Sequence, residues 1–459
     1  MKYDNILNNV KRIHFIGIGG SGMCPMAMIL KSQGYEITGS DVYESDTLTR
    51  VKDFGIKVFM KHEASNVNNV ELIVYTAAVK GDNPELVAAK ELGIPAIERS
   101  VMLGILSRKY EDSIAVAGTH GKTSTTSMLT QIMVNGKKDP TAIIGGYLPF
   151  IKGNSRIGDS QLMICEACEY VDSFLQLNPA VSVILNVDAD HLDYFKNLDN
   201  IKKSFNKFAK QTKRAIIVNG DDNNSLDCIK DVSGKDIITF GLSKTCDYRA
   251  YDIENYKSAF KKFKLEYKGE KICNIELSVP GVHNVQNALA AAAAAHYMGV
   301  KPCDIENGLK QFKGVHRRFE ILGSVDGITV ADDFAHHPTE LKATLNCAMN
   351  MGFNNVWAVF QPHTYSRTAM LLDDFAKVLS IPDKLVMSEI LAVRETNTYN
   401  IYTKDLADKI PGSVWFNTFE EITDYVVKNA KKGDLILTLG GGNVYVCANM
   451  IYKQLQAIK

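Results

Sequence analysis

Short runs of β-branched and other apolar residues alternate with amphipathic stretches almost from one end of the chain to the other. RIHFIG (12–17) predicts a strand and GMCPMAMILKSQG (22–34) the helix that follows it. YEITG, ELIVYTAA (71–78), SIAVAG (113–118), QLMICEA (161–167) and VSVILNV (181–187) repeat the strand signature. Helical patterns such as PELVAAKELG (84–93) and KTSTTSMLTQIMV (122–134) lie between them. Continuous apolar strands alternating with helices predict parallel sheets covered on both faces, so the fold class is α/β. The pattern breaks between about 237 and 280, where DIITFG, DYRAYDI, FKLEYKGEKI and CNIELSVP follow one another without helices. That run predicts a small antiparallel sheet.

An alanine-rich helix, HNVQNALAAAAAAHYMG (283–299), comes next, alanine being the best helix former. Alternation then resumes with NNVWAVFQ (354–361), DKLVMSE (383–389), SVWF (413–416) and DLILTLGGG (434–442). Charged or turn-rich breaks at SRKYED (107–112) and QFKGVH (311–316) divide the chain into three units, 1–108, 109–313 and 314–459.

Composition narrows the class without naming a chemistry. Lys+Arg and Asp+Glu are both 52, so general basicity offers no route to nucleic acid. A hydrophobic share of 46% beside 23% charged residues predicts an ordinary globular protein. No apolar run approaches the ~20 residues of a membrane span. The start, MKYDNILNNVKR, has no apolar signal core, and nine scattered cysteines read as reduced thiols. The expectation is a cytoplasmic protein that binds neither nucleic acid nor membrane, as a monomer or homodimer.

Two glycine-rich loops carry the first chemical signal. GIGGSGM (17–23) lies between a strand and a helix, where glycines allow close backbone approach and helix amides bind anions. Gly17, Gly19, Gly20, Ser21 and Gly22 are its candidates. Asp41 ends the next strand, where an acid meets a ribose hydroxyl in dinucleotide enzymes. The loop indicates a diphosphate, either of NAD or FAD or of another nucleotide. AGTHGKTSTT (117–126) repeats the strand–loop–helix arrangement. Its candidates are Gly118, Thr119, His120, Gly121, Lys122, Thr123 and Ser124. Successive amides form a phosphate nest, Lys122 supplies a point charge for the β- and γ-phosphates, and the Thr123 hydroxyl suits magnesium. Val116 stands where the ordinary P-loop has its first glycine, so this is a shortened variant. ATP is the ligand it predicts.

Acids and histidines follow later strands. EACEYVD (166–172) and DADHLD (188–193) close two strands on the edge that carries the second loop. Thr123, Glu166 and His191 could therefore meet at magnesium, although His191 is as readily a strand cap or a partner of a neighbouring aspartate. Cys165 and Cys168 have the spacing of a redox pair or half a zinc site, but no second such pair exists. DDFAHHPTE (332–340) combines acids with His336 and His337, and Pro338 starts a helix. Arg317, Arg318 and Arg367 offer forked donors to carboxylate or phosphate. A dehydrogenase would leave the second loop idle, and a simple ATPase the first.

Eight segments in order resemble the Mur ligase family over essentially the whole chain: HFIGIGGSGM (14–23), AGTHGKTSTTSM (117–128), EACEYVDSFLQLNP (166–179), DADHLDYF (188–195), GVHNVQNALAA (281–291), GVHRRFE (314–320), DDFAHHPTE (332–340) and QPHTYSRT (361–368). The resemblance implies an N-terminal Rossmann-like domain for a UDP-sugar, a central ATPase and a C-terminal Rossmann-like domain for an amino acid. It reassigns the first loop to the UDP diphosphate. It implies ATP-dependent joining of L-alanine to UDP-N-acetylmuramate, a step in making peptidoglycan precursor, through an acyl phosphate. Magnesium falls to Thr123, Glu166 and His191, and the adenine nucleotide to His283, Asn284 and Asn287. Arg318 and Asp333 match positions for nucleotide placement and catalysis, His337 lies where the amino acid is received and is a candidate base, and Arg367 is a substrate-binding candidate. The chain departs from the family pattern at Ser124, at Phe334 where tyrosine is usual, and at Thr364 where arginine is frequent. LGGGNVY (439–445) receives no role, and SFNKF (204–208) supplies no clear lysine for carbamylation.

Overall fold

The structure is a computed structural model that describes residues 5–256, 259–393 and 395–458; the first four residues of the opening segment lie outside the described residues. Two compact units form. One takes Met1–Asp188, Asn197–Cys246 and Ala290–Ile305, the other Ala189–Lys196, Asp247–Leu289 and Glu306–Lys459.

The first unit holds two sheets. Strands β1 (Arg12–Ile16), β2 (Glu36–Ser40), β3 (Lys57–Phe59), β4 (Leu72–Tyr75) and β5 (Ala96–Glu98) are all parallel, in the order β3-β2-β1-β4-β5. The order reverses beside β1, so the crevice at the carboxyl ends of β1 and β4 is where such a sheet takes a ligand. Ile13, Phe15 and Ile16 of β1 are buried on the two faces. His14 is buried among them because Glu85, itself fully buried, accepts from His14, Ser40 and Asn66. Burial pushes the Glu85 carboxyl up, but these hydrogen bonds outweigh it and hold its pKa below the usual value.

The second sheet of this unit runs β6 (Asp112–Ala117), β7 (Thr141–Leu148), β8 (Gly153–Arg156), β9 (Leu162–Ala167), β10 (Val181–Ile184), β11 (Ala215–Asn219) and β12 (Asp236–Gly241), ordered β12-β11-β10-β6-β9-β7-β8. All neighbours are parallel except β8, which turns back along β7. DIITFG corrects the expectation of an antiparallel run from 237: as β12 it pairs parallel with β11.

In the second unit β13 (Tyr248–Tyr256), β14 (Phe260–Tyr267) and β15 (Glu270–Pro280) form the predicted antiparallel meander. A six-stranded sheet then comprises β16 (Glu320–Val325), β17 (Ile328–Asp333), β18 (Val356–Phe360), β19 (Lys384–Ser388), β20 (Val414–Phe416) and β21 (Leu435–Leu439), ordered β16-β17-β21-β18-β19-β20. Only β16 is antiparallel. Its half-buried residues lack the continuous apolar run that marks the inner strands, which is why sequence pattern passes over it. All nine cysteines are free. Among the described residues no helix is long and apolar enough to cross a membrane.

Candidate active site

The first glycine loop joins β1 to the helix Met23–Ser32. Its backbone is largely spoken for: the Gly17 and Ile18 amides donate to Ser40, that of Gly20 to Gly17, and that of Gly19 to the Asp41 carboxylate at 2.8 Å. The other Asp41 oxygen accepts from Val42 and Tyr43. Asp41 thus braces the loop. The Ser21 and Gly22 amides remain without protein partners among the described residues, at the start of a helix that has no side-chain cap. Arg99 lays its guanidinium over Gly22, 2.8 Å from where a Cβ would stand. Asn154 of β8 donates to the Ser21 carbonyl at 2.7 Å and accepts from Arg50 at 3.0 Å, so the second sheet helps to fix the loop.

The second loop follows β6, the strand with neighbours on both sides in the middle of its sheet. Gly121 takes φ 85, a left-handed turn that lets the helix Lys122–Asn135 begin sharply. Asn186, beyond β10, clamps the loop by accepting from the His120 amide at 2.8 Å and donating to the His120 carbonyl at 3.0 Å. Thr119 hydrogen-bonds the Asp188 backbone, and the His120 ring meets the Asp188 carboxylate at 3.3 Å. Thr125 makes the first intrahelical bond, back to Gly121, which leaves the first-turn amides of Lys122, Thr123 and Ser124 for an anion.

The Lys122 ammonium donates to Glu169 at 2.9 and 3.1 Å. Burial alone would lower its pKa, but the Glu169 carboxylate outweighs burial and the pKa stands above the ordinary lysine value. Thr123 Oγ1 donates to Glu166 at 3.2 Å, and Glu166 also accepts from the Gly145 amide at 2.5 Å. A hydroxyl and a carboxylate side by side are the hard oxygen donors that magnesium prefers. Cys165 is buried in β9 and burial pushes its thiol up to about 12. Cys168 is raised too, by burial and then by Glu169.

In the second unit His191 caps the short helix Leu192–Phe195 with φ 52, and its ring lies 3.7 Å from Asp190. Asp190 also accepts from Arg367 at 3.1 Å. Burial pushes the Asp190 carboxyl up, yet Arg367 and then His191 pull it far below the usual range. Arg367 further donates to His363 Nδ1 at 3.2 Å. His283 begins its helix as read, Asn284 donates to the Pro280 carbonyl at 2.7 Å, and Asn287 donates to Asn284 at 3.1 Å.

The tandem arginines divide their work. Arg317 donates to Asp332 and to the carbonyls of Gly440 and Gly442, so it is structural. The Arg318 guanidinium stacks 5.1 Å over Phe334 and makes no side-chain hydrogen bond among the described residues. Arg317 and Phe319, on either side of it, both take positive φ, the kind of strain kept where a side chain must be aimed. Asp333 accepts from the Phe319 and Ala335 amides at 2.7 and 2.8 Å. Burial pushes its pKa up to about 6 against the pull of Arg318. His337 caps the helix Pro338–Met349: Nδ1 accepts from Thr339 at 3.3 Å and Nε2 faces the Ala189 carbonyl at 3.2 Å.

Matches to three family models cover most of the chain: the Mur ligase family catalytic domain over 12–111, the Mur ligase middle domain over 116–295 and the Mur ligase glutamate ligase domain over 317–442. A UDP-N-acetylmuramate–L-alanine ligase from Acetivibrio thermocellus is 45% identical over 458 residues, 98% of this chain and 97% of that one. The chain belongs to the Mur ligase family. A ligase of the same name from Caldanaerobacter subterraneus is 45% identical over 445 residues, covering 96% of each chain. The crystal structure of UDP-N-acetylmuramate-alanine ligase from Thermotoga maritima matches with a TM-score of 0.82 at 28% identity, covering 98% of this chain and 100% of that one. The fold is therefore the three-domain Mur ligase fold.

Within the Mur ligase frame, four residues escape the sequence reading: Glu169, Asn186, Asn154 and Arg99. Glu169 stands inside a quoted motif, so its acidity was a signal. The other three act through space, and nothing in their spacing announces it.

Proposed function

We propose that the chain joins L-alanine to UDP-N-acetylmuramate with cleavage of ATP to ADP and phosphate, giving UDP-N-acetylmuramoyl-L-alanine, in the cytoplasm. The observation that carries this reading is its full-length likeness to ligases of that name, and the Lys122 loop fits it. Residues 1–108 take the UDP-sugar, 109–313 ATP and 314–459 the amino acid.

A carboxylate resists attack by an amine because oxide leaves poorly. The lactyl carboxylate therefore attacks the γ-phosphorus, ADP departs and an acyl phosphate forms. The amino acid's ammonium gives up a proton, the neutral amine adds to the carbonyl carbon, and the tetrahedral intermediate expels phosphate as the nitrogen loses its second proton. The protein's share is positioning and charge stabilisation. The loop from Gly118 to Ser124 cradles the phosphates, and Lys122 places its charge on the transferring group. Thr123 and Glu166, with His191, would hold magnesium, which would neutralise charge on the phosphoryl oxygens. His283, Asn284 and Asn287 serve the adenine nucleotide. Ser21 and Gly22, in the loop with Gly17, Gly19 and Gly20 that Asp41 braces, receive the UDP diphosphate. Arg318 offers an unspent guanidinium, and Asp333 holds the amide of Phe319 next to it. Arg367 serves the substrate, and His337, which caps the helix Pro338–Met349, lies where the amino acid is received and is the candidate base.

Phosphate release measured across a panel of amino acids tests the assignment. L-Alanine should win clearly over glycine, D-glutamate and a tripeptide; preference for another member of the panel would move the chain to a different ligase of the family.

A further inference from the structure

In the first unit the Lys122 ammonium is already engaged. Besides both oxygens of Glu169, it donates to the carbonyls of Gly118 at 2.5 Å and Thr119 at 3.1 Å, so it lies folded back on its own loop. Glu169 is only 2% exposed. Parting a buried carboxylate from a partly buried ammonium is costly unless a replacement partner arrives, and a nucleotide's phosphates are such a replacement for the ammonium.

The chain holds Glu169 there against strain. Val171 and Asp172, just beyond it, both take left-handed backbone, φ 53 and 57. A β-branched residue seldom does so. Val171 is 51% exposed, so packing of its side chain does not explain the conformation. The segment is pinned further on, where Asp172 accepts from Ser204 and Phe174 stacks on Phe208 at 4.7 Å and meets Phe205 edge-on at 5.1 Å. Local strain maintained beside a nucleotide loop is the mark of a placed functional group.

We propose that Glu169 is the exchange partner of Lys122: nucleotide phosphates take the ammonium from it on entry, and it takes the ammonium back as ADP leaves. The proposal rests on assigning the 117–126 loop to ATP. Glu169 acts through Lys122 and is a positioning residue. In the bound state its carboxylate has given up the ammonium and stands near a polyanion, which disfavours that state. The carboxylate therefore weakens nucleotide binding and speeds product release.

Calorimetric titration of the whole chain with ADP and magnesium tests this. Glu169→Gln should bind ADP about tenfold tighter than the wild type, with kcat and the KM for ATP falling together. Glu169→Asp, which keeps the charge, should return ADP affinity to within about threefold. An affinity in Glu169→Gln that is unchanged within twofold, or weaker, overturns the exchange. Should that variant not fold, the 13C carboxyl resonance of Glu169 in the wild type decides. It should move on saturation with ADP, and a resonance that stays put overturns the proposal. A wild-type chain that binds no ADP defeats the loop assignment instead.

Discussion

At the scale of residues, adjacent and chemically identical side chains are told apart by what they have left to offer. Arg317 spends its donors on Asp332, Gly440 and Gly442, whereas Arg318 keeps its fork. Replacing Arg317 removes a brace, and replacing Arg318 removes the guanidinium that the proposed function assigns to the nucleotide. Arg318→Lys should therefore leave the melting temperature within a few degrees and lower kcat/KM, since an ammonium lacks the planar fork. Arg317→Lys should lower the melting temperature as well. Equal destabilisation by the two would contradict the division. Lys122→Ala should reduce ligation on the order of 10³-fold or more, the scale of removing a preorganised charge from a transferring group. Product formation at the normal rate would remove the loop from the mechanism. Lys122 and Thr123 were legible in the strand–loop–helix spacing, and Glu166 at the end of a strand on the same sheet edge, where it meets Thr123. Glu169 and Asn186 were not, because their partners are Lys122 and His120, distant along the chain. The engagement of His337 as a helix cap was not legible either.

At the scale of elements, the segment LGGGNVY shows how a motif without an assigned role supports a site. A Cβ on Gly441 would come within 3.1 Å of the His336 ring and 3.4 Å of His363, and one on Gly442 would collide with Leu391 and Gln361. The turn after β21 thus keeps room beside the two histidines, while its carbonyls anchor Arg317. Gly442→Ala should cost about 1–3 kcal/mol, as overpacking a close contact does, measured by urea unfolding. A stability equal to the wild type would show that the turn is slack. Element type was readable from period alone in most of the chain. The reading passes over β3, β5, β7, β8, β11 and β16 and misses the parallel pairing of β12, since pattern alone shows neither every strand nor which neighbour a strand takes.

At the scale of the whole molecule, balanced charge hides local imbalance. In the second unit burial holds His283 down to about 4 and His363, beside His336 and Arg367, down to about 3. His336 is lowered as well, chiefly by burial. In the unfolded chain these rings titrate near the ordinary value of 6.5. The unfolded state then binds more protons, so their contribution to stability is full above that value and is lost as pH falls through the folded values. Asp333, raised to about 6, works the other way and offsets part of the loss below pH 6. The melting temperature should therefore fall between pH 6.5 and 4, and His363→Asn should flatten the slope. A pH-independent melting temperature over that range would contradict the burial of these rings.

The central claim is chemical and one measurement meets it directly. The purified chain is incubated with ATP, magnesium, UDP-N-acetylmuramate and an equimolar mixture of L-alanine, L-serine and glycine, and the products are weighed by mass spectrometry. The account predicts UDP-N-acetylmuramoyl-L-alanine as the dominant product, with one ADP and one phosphate for each amide formed. ATP turnover without an amide product, or an amide carrying a different amino acid, would contradict it.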